Sequence, residues 1–282
     1  MSAATATIKY RRLQSILKEM GGVVIAFSGG VDSTFLLKAA KEVLGDNVLA
    51  VTARSATIPD HELQDAVEIA RTLGAEHLIV ESSEMDQPDY VANPPDRCYL
   101  CKMSLFPEIL RIAADRGSPF VLDGQNVDDT GDFRPGIRAA KELGVRSPLR
   151  EAGLSKREIR GLSRKLGLST WNKPAYACLA SRIPHGSPIT DEKLRQVDLG
   201  EEFIRGLIPA NQVRVRHYGH TAKIEVDSRA MAKLIKRSVR ERLLSFFTQE
   251  LGFKFVTLDL AGYETGSLNK LIDTTTKKTA SK

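Results

Sequence analysis

The chain is 282 residues long, enough for about two domains and for a core that needs no disulfide staples. Hydrophobic residues at 42% and charged residues at 27% match ordinary globular composition and exclude wholesale disorder. A net charge of +6 suits anionic ligands such as nucleotides but does not by itself demand nucleic acid.

Taken in chain order, Leu13, Ile16, Leu17 and Met20 recur at helical spacing over 8–20. Val23-Val24-Ile25-Ala26-Phe27 is a short apolar run between glycines, as expected of a strand buried on both faces of a parallel sheet. Ser28-Gly29-Gly30-Val31-Asp32-Ser33 follows, then a helix over 34–44, a strand over 48–52, a helix over 60–73 and a strand over 77–80. A proline-bearing loop is expected over 86–97, a helix over 100–116 that Pro107 interrupts or starts, and a strand over 119–124. The loop 125–136 is acidic, and Ser155 with Glu158 forms a capping box for a helix over 155–166.

This alternation predicts an α/β fold, a doubly wound parallel sheet with right-handed crossovers, over 1–170. After Trp171 an irregular stretch runs to Pro188 and holds Cys178 and Arg182. A helix over 190–206, strands over 213–216 and 223–226 around Gly219, a helix over 228–250 and a strand over 254–260 come next. They predict a smaller C-terminal α+β domain over 171–272 in α-β-β-α-β order. The tail 273–282 is expected to be disordered. No apolar run reaches membrane length and residues 1–8 carry no signal peptide, so a cytoplasmic protein without a membrane partner is expected.

Strand, then Ser28-Gly29-Gly30-Val31-Asp32-Ser33, then helix is the strongest chemical signal. Two glycines let the backbone approach a polyphosphate, and the amides at the helix start point at it. Ser28 and Ser33 add hydroxyls, and Asp32 suits the Mg²⁺ that accompanies a nucleotide. A Walker A loop is excluded, since no lysine lies inside the loop.

Here the sequence resembles the PP-loop ATP pyrophosphatase superfamily, over roughly residues 20–170. The resemblance implies cleavage of ATP between its α and β phosphates, leaving AMP on a substrate oxygen, with adenine held near Ala53-Arg54-Ser55. A nucleophile must then displace AMP. Ammonia, an amine and sulfur are the alternatives, and the cysteines bear on the choice. Three of them, an odd number, disfavour a disulfide framework. Cys98, Cys101 and Cys178 suit a cubane iron–sulfur cluster with one open iron. A zinc site with His185 as fourth ligand and a redox pair at Cys98 and Cys101 are the other readings.

The stretch Trp171-Asn172-Lys173-Pro174-Ala175-Tyr176-Ala177-Cys178-Leu179-Ala180-Ser181-Arg182-Ile183-Pro184-His185-Gly186 is similar to the corresponding motif of the LarE family. So are Asp123-Gly124, Asp132-Phe133-Arg134-Pro135-Gly136 and Val213-Arg214-Val215-Arg216. That family comprises ATP-dependent sulfur transferases of nickel-pincer nucleotide cofactor biosynthesis, which serves lactate racemase. The resemblance implies adenylation of the carboxylates of pyridinium-3,5-biscarboxylic acid mononucleotide, then their conversion to thiocarboxylates. The single-cysteine type donates the sulfur of the residue matching Cys178. The three-cysteine type, which this chain resembles more, carries sulfide on a [4Fe-4S] cluster held by Cys98, Cys101 and Cys178.

The expected catalytic residues are Cys178, Asp32 and Arg182, the last lowering a thiol pKa or steadying an oxyanion. ATP and Mg²⁺ are assigned to Ser28, Gly29, Gly30, Asp32, Ser33, Arg54, Ser55 and Gly124. Substrate or AMP phosphate is assigned to Arg214, Arg216, Ser181 and Arg134, with Glu201 and Glu225 nearby. Asp128, Asp129 and Asp132 either bind Mg²⁺ or solvate a loop. The expected partners are the pyridinium mononucleotide and a sulfide source, within a homo-oligomer that the resemblance makes a hexamer. A tRNA thiolation enzyme is the main rival; an ammonia-using ligase and a non-catalytic nucleotide sensor stand behind it.

Overall fold

The computed structural model describes residues 3–131 and 135–271. They separate into two compact units, one of residues up to 87 together with 96–176, the other of 88–95 together with residues from 177 onward.

The first unit contains α1 (Ala3–Met20), β1 (Val23–Ala26), α2 (Val31–Leu44), β2 (Val48–Arg54), α3 (Asp60–Thr72) and β3 (Glu76–Glu81). After the short helix α4 (Pro88–Val91), which belongs to the second unit, it continues with α5 (Arg97–Asp115) and β4 (Val121–Leu122). It ends with α6 (Pro135–Glu142), α7 (Pro148–Glu151) and α8 (Lys156–Lys165). Its four strands are all parallel, in the order β3-β2-β1-β4.

Alternation along β1 fills two cores. Val23 and Ile25 join α1, α2 and α8 on one face, while Val24 joins α5 and α6 on the other. The sheet is therefore sandwiched between helices, as a continuous apolar strand requires. The order reverses between β1 and β4, so the segments leaving these two strands diverge and open a crevice at the sheet's C-terminal edge.

Several elements differ from the sequence reading. Helix α5 runs straight through Pro107, because Phe106, Ile109 and Ile112 bury a face that outweighs one missing backbone bond. The fourth strand is only two residues long, and the helices over 135–142 and 148–151 were not foreseen.

The second unit builds on α9 (Asp191–Leu207), β5 (Val213–Tyr218), β6 (Thr221–Val226), α10 (Ser228–Leu234), α11 (Arg237–Ser245) and β7 (Phe255–Leu258). β5 and β6 are antiparallel, with Gly219 at φ 61° in the tight turn, and β7 runs parallel to β6. Asn93, from the 88–95 segment, is fully buried here. Its amide donates to the carbonyls of Ile183 (3.2 Å), Pro184 (2.8 Å) and Ser187 (2.9 Å), fixing the loop that follows Cys178. Among the described residues no helix is long and apolar enough to cross a membrane.

Candidate active site

The Ser28–Ser33 loop turns between β1 and α2 at the sheet's C-terminal edge. Gly29 sits at φ 63°, and a Cβ there would come within 3.0 Å of the Ala66 backbone on α3, so both conformation and space demand glycine. Gly124, leaving β4, would press a Cβ to 3.1 Å from the Ser33 amide nitrogen. Gly30 caps α2 without a side-chain hydrogen bond, so the first-turn amides remain available to an anion. Ser28 Oγ and Ser33 Oγ lie 3.1 Å apart, and Ser33 also donates to the Gly30 carbonyl at 3.3 Å.

Asp32, in the first turn of α2, pairs with Lys156 of α8 and accepts a hydrogen bond from Asn126 at 3.4 Å. Burial pushes its carboxyl above the ordinary 3.8, with Asp129 adding to the rise, while Lys156 and Arg160 oppose it. Lys156 was not foreseen. A signal was there, since the helix dipole disfavours a cation at the first position of a helix, and a lysine placed there asks for another partner. Asp128 accepts from the Lys156 amide at 2.8 Å, and Asp129 from the Asn126 amide at 2.9 Å. Both acidic residues thus hold the loop and the start of α8. Asp123 is held by Ser147 (2.7 Å) and Gln125. Asp132 and Arg134 lie outside the described residues.

At the end of β2, Arg54 is exposed and pairs with Glu81 at 2.9 Å. Ser55 donates to Glu84, a buried residue that sequence reasoning did not single out. Behind the loop, Thr52 donates to the Phe27 carbonyl at 2.7 Å and therefore accepts from His77 Nε2 at 2.8 Å. Burial lowers the His77 pKa, which suits this neutral donor form.

In the second unit the sequence-predicted charges come together as a buried network. Arg182 and Glu201 are both 0% exposed and form a bidentate pair at 2.8 and 2.9 Å. The remaining Arg182 nitrogen donates to the Ala177 carbonyl, the Cys178 carbonyl (3.1 Å) and Ser181 Oγ (3.0 Å). Arg216 pairs with Glu225 at 2.7 Å and donates to the Ser181 carbonyl at 2.9 Å. Arg214 lies over the Tyr263 ring at 5.2 Å and donates to the Val213 carbonyl. Burial raises the Glu201 pKa, but Arg182, Arg214 and Arg205 outweigh it and hold the carboxyl below its ordinary value. The arginines thus spend donors on the backbone of the Cys178 loop.

Cys98 and Cys101 lie in the first turns of α5, three residues apart and so on one side of the helix; Cys98 is exposed and Cys101 half-buried. Cys178 is half-buried at the start of the one-turn helix Leu179–Arg182. Among the described residues no group of three or more His, Cys, Asp or Glu side chains is arranged to hold a metal ion. On α5 the two thiols are presented together on one side of the helix, as two ligands of an iron–sulfur cluster would be.

A family model for NAD synthase matches residues 9–89, the part that carries the loop. An uncharacterized protein of Synechocystis sp. is 44% identical, covering 94% of this chain and 98% of that protein. An uncharacterized protein of Methanocaldococcus jannaschii is 28% identical over 90% of this chain and 97% of its own length. The pyridinium-3,5-bisthiocarboxylic acid mononucleotide synthase of Lactiplantibacillus plantarum is 39% identical, covering 97% of each chain. With a PP-loop at the switch point and this likeness along its whole length, the chain belongs to the LarE family of pyridinium-3,5-bisthiocarboxylic acid mononucleotide synthases, which are ATP-using enzymes.

Proposed function

We propose that the protein is an ATP-dependent sulfurtransferase acting on pyridinium-3,5-biscarboxylic acid mononucleotide, in nickel-pincer cofactor biosynthesis. The observation that carries this is the glycine-built loop with Asp32 at its helix, in a chain alike end to end to the synthase of that product's name. A substrate carboxylate oxygen attacks the α-phosphorus of ATP, the bond to the β-phosphate oxygen breaks, and pyrophosphate leaves. The α2 amides and the Ser28 and Ser33 hydroxyls stabilise charge gathering on the phosphates. Mg²⁺ fits Asp32 by donor chemistry, and when bound it supplies charge neutralisation. A sulfur nucleophile then adds to the acyl carbon and AMP leaves, giving a thiocarboxylate. A second cycle treats the other carboxylate.

In the second unit Arg182 acts as a positioning residue that holds the carbonyls flanking Cys178. Arg214, Arg216 and Ser181 form the site for the substrate or AMP phosphate. For the sulfur source, a cluster held by Cys98, Cys101 and Cys178 is supported by the paired thiols of α5 and by the resemblance. The second reading makes Cys178 the donor: its Sγ joins the acyl carbon, then its Cβ–Sγ bond breaks as the α-proton leaves, and dehydroalanine remains. The activity belongs to the cytoplasm, in a homo-oligomer, with nucleic acid no partner.

The test supplies ATP, Mg²⁺ and the pyridinium mononucleotide, and follows pyrophosphate, AMP and product mass. Substrate-dependent pyrophosphate with a sulfur-for-oxygen mass change is expected. Release that requires ammonia or tRNA instead would overturn the proposal. Anaerobic protein with about four irons and four sulfides per chain would favour the cluster, whereas a Cys178 lighter by H₂S after turnover would favour the sacrificed residue.

A further inference from the structure

We infer that Glu84 is a positioning residue for the purine-binding rim of the nucleotide site, an inference that rests on the ATP-dependent reading above. Glu84 lies just beyond β3, at the same sheet edge as the loop, and is 1% exposed. Its partners are hydroxyls: Ser55 and Thr57 (3.2 Å) donate to Oε1, and Ser82 donates to Oε2. Ser55 Oγ in turn accepts from the Thr57 amide at 3.0 Å, and the Ile58 amide donates to the Ser55 carbonyl at 3.0 Å. The Ser82 amide donates to the Arg54 carbonyl at 2.9 Å, tying the ends of β2 and β3. One carboxyl therefore closes the turn after β2 and clamps it to the segment after β3.

This arrangement has a chemical consequence. A serine hydroxyl has a single proton, and Ser55 gives its own to Glu84. A base seated at this rim then meets the backbone of residues 53–55 rather than a Ser55 donor. The shape of that backbone is what Glu84 sets. Burying a carboxyl is costly, and an amide or apolar side chain would brace a surface turn for less. Rigidity at a recognition edge is the gain, because a preorganised rim loses less freedom on binding.

The test uses the full chain with Glu84→Ala and Glu84→Gln. Binding of α,β-methylene ATP and of inorganic tripolyphosphate, each with Mg²⁺, is measured by calorimetry alongside KM and kcat for pyrophosphate release. Glu84→Ala is expected to weaken the nucleotide analogue and raise the ATP KM about tenfold, with kcat changed by less than about twofold. Tripolyphosphate, which has no base, should bind as before. Glu84→Gln keeps an acceptor oxygen and should recover most of the affinity. Unchanged analogue binding with only a lower melting temperature would overturn the inference, as would an equal loss for tripolyphosphate. If the wild-type chain fails to bind the analogue at all, the ATP-dependent reading falls and takes this inference with it.

Discussion

Asp32 and Glu201 are both carboxyls withdrawn from water and both face cations, yet they move in opposite directions. At Asp32, burial outweighs Lys156 and Arg160, and the carboxyl is held above its ordinary value. At Glu201 the arginines win, and the carboxyl is held below it. The difference lies in how far the charge is already compensated. The phosphate loop is made mostly of backbone and keeps a carboxyl whose charge is incompletely balanced, which suits a site that receives a metal-bound polyanion. The Arg182–Glu201 pair of the second unit is satisfied by its own members, and the remaining Arg182 donors hold the Cys178 loop.

The largest effect should come from opening the Arg182–Glu201 pair. Glu201→Ala leaves the Arg182 guanidinium buried without its bidentate partner, a loss of about 3–5 kcal/mol, read by urea unfolding. The paired replacement Arg182→Met with Glu201→Leu should recover most of that stability. It should still impair sulfur transfer, because the Ala177 and Cys178 carbonyls lose their donor. A single variant costing less than about 1 kcal/mol would show that water reaches the pair, and the contrast with Asp32 would collapse. In the other region, Asp32→Ala should cut pyrophosphate release by about a hundredfold or more while the fold persists. Retained activity would remove Asp32 from the chemistry.

The two regions were not equally legible in the sequence. The loop announced itself because its requirements are local: a buried strand, two glycines and a helix start within ten residues. Gly29 shows why, since both its positive φ and the contact with Ala66 forbid a side chain. Arg214 and Arg216, two apart on β5, pointed to one strand face, but their burial did not show in that spacing, and only the resemblance put Glu201 and Glu225 nearby. Glu225, across the ladder, pairs with Arg216, and Glu201, on α9, pairs with Arg182; no spacing rule links either pair. Glu84 was passed over for the same reason, because its hydroxyl partners come from two different strand ends. Pro107 misled in the other direction, a strong local breaker overruled by the apolar face of α5.

Acid should separate the regions in a fixed order. A carboxyl whose folded pKa is raised loses its charge early, so the acid limb of kcat/KM for pyrophosphate release should lie above the ordinary aspartate value of 3.8. Glu201 behaves oppositely. Its contribution to stability is full above the ordinary glutamate value of 4.5 and is lost only as pH falls through its lower folded value. Activity should therefore disappear while circular dichroism still reports a folded chain; simultaneous loss would mean that the loop fails only because the protein unfolds.

The finest effect belongs to Lys156. It lowers the Asp32 pKa, so Lys156→Met should shift the acid limb toward higher pH. Both side chains keep some solvent contact, so the pair is screened, and at neutral pH its effect through Asp32 should be about twofold at most. Two readouts separate this from a direct grip on phosphate. If Lys156 acts only on Asp32, the limb moves while the ATP KM on the plateau stays put. If it also binds phosphate, the KM rises at every pH, and the shift of the limb becomes the smaller part of the change. A limb that does not move would show that the ion pair leaves the Asp32 titration untouched, and burial alone would then account for the raised carboxyl.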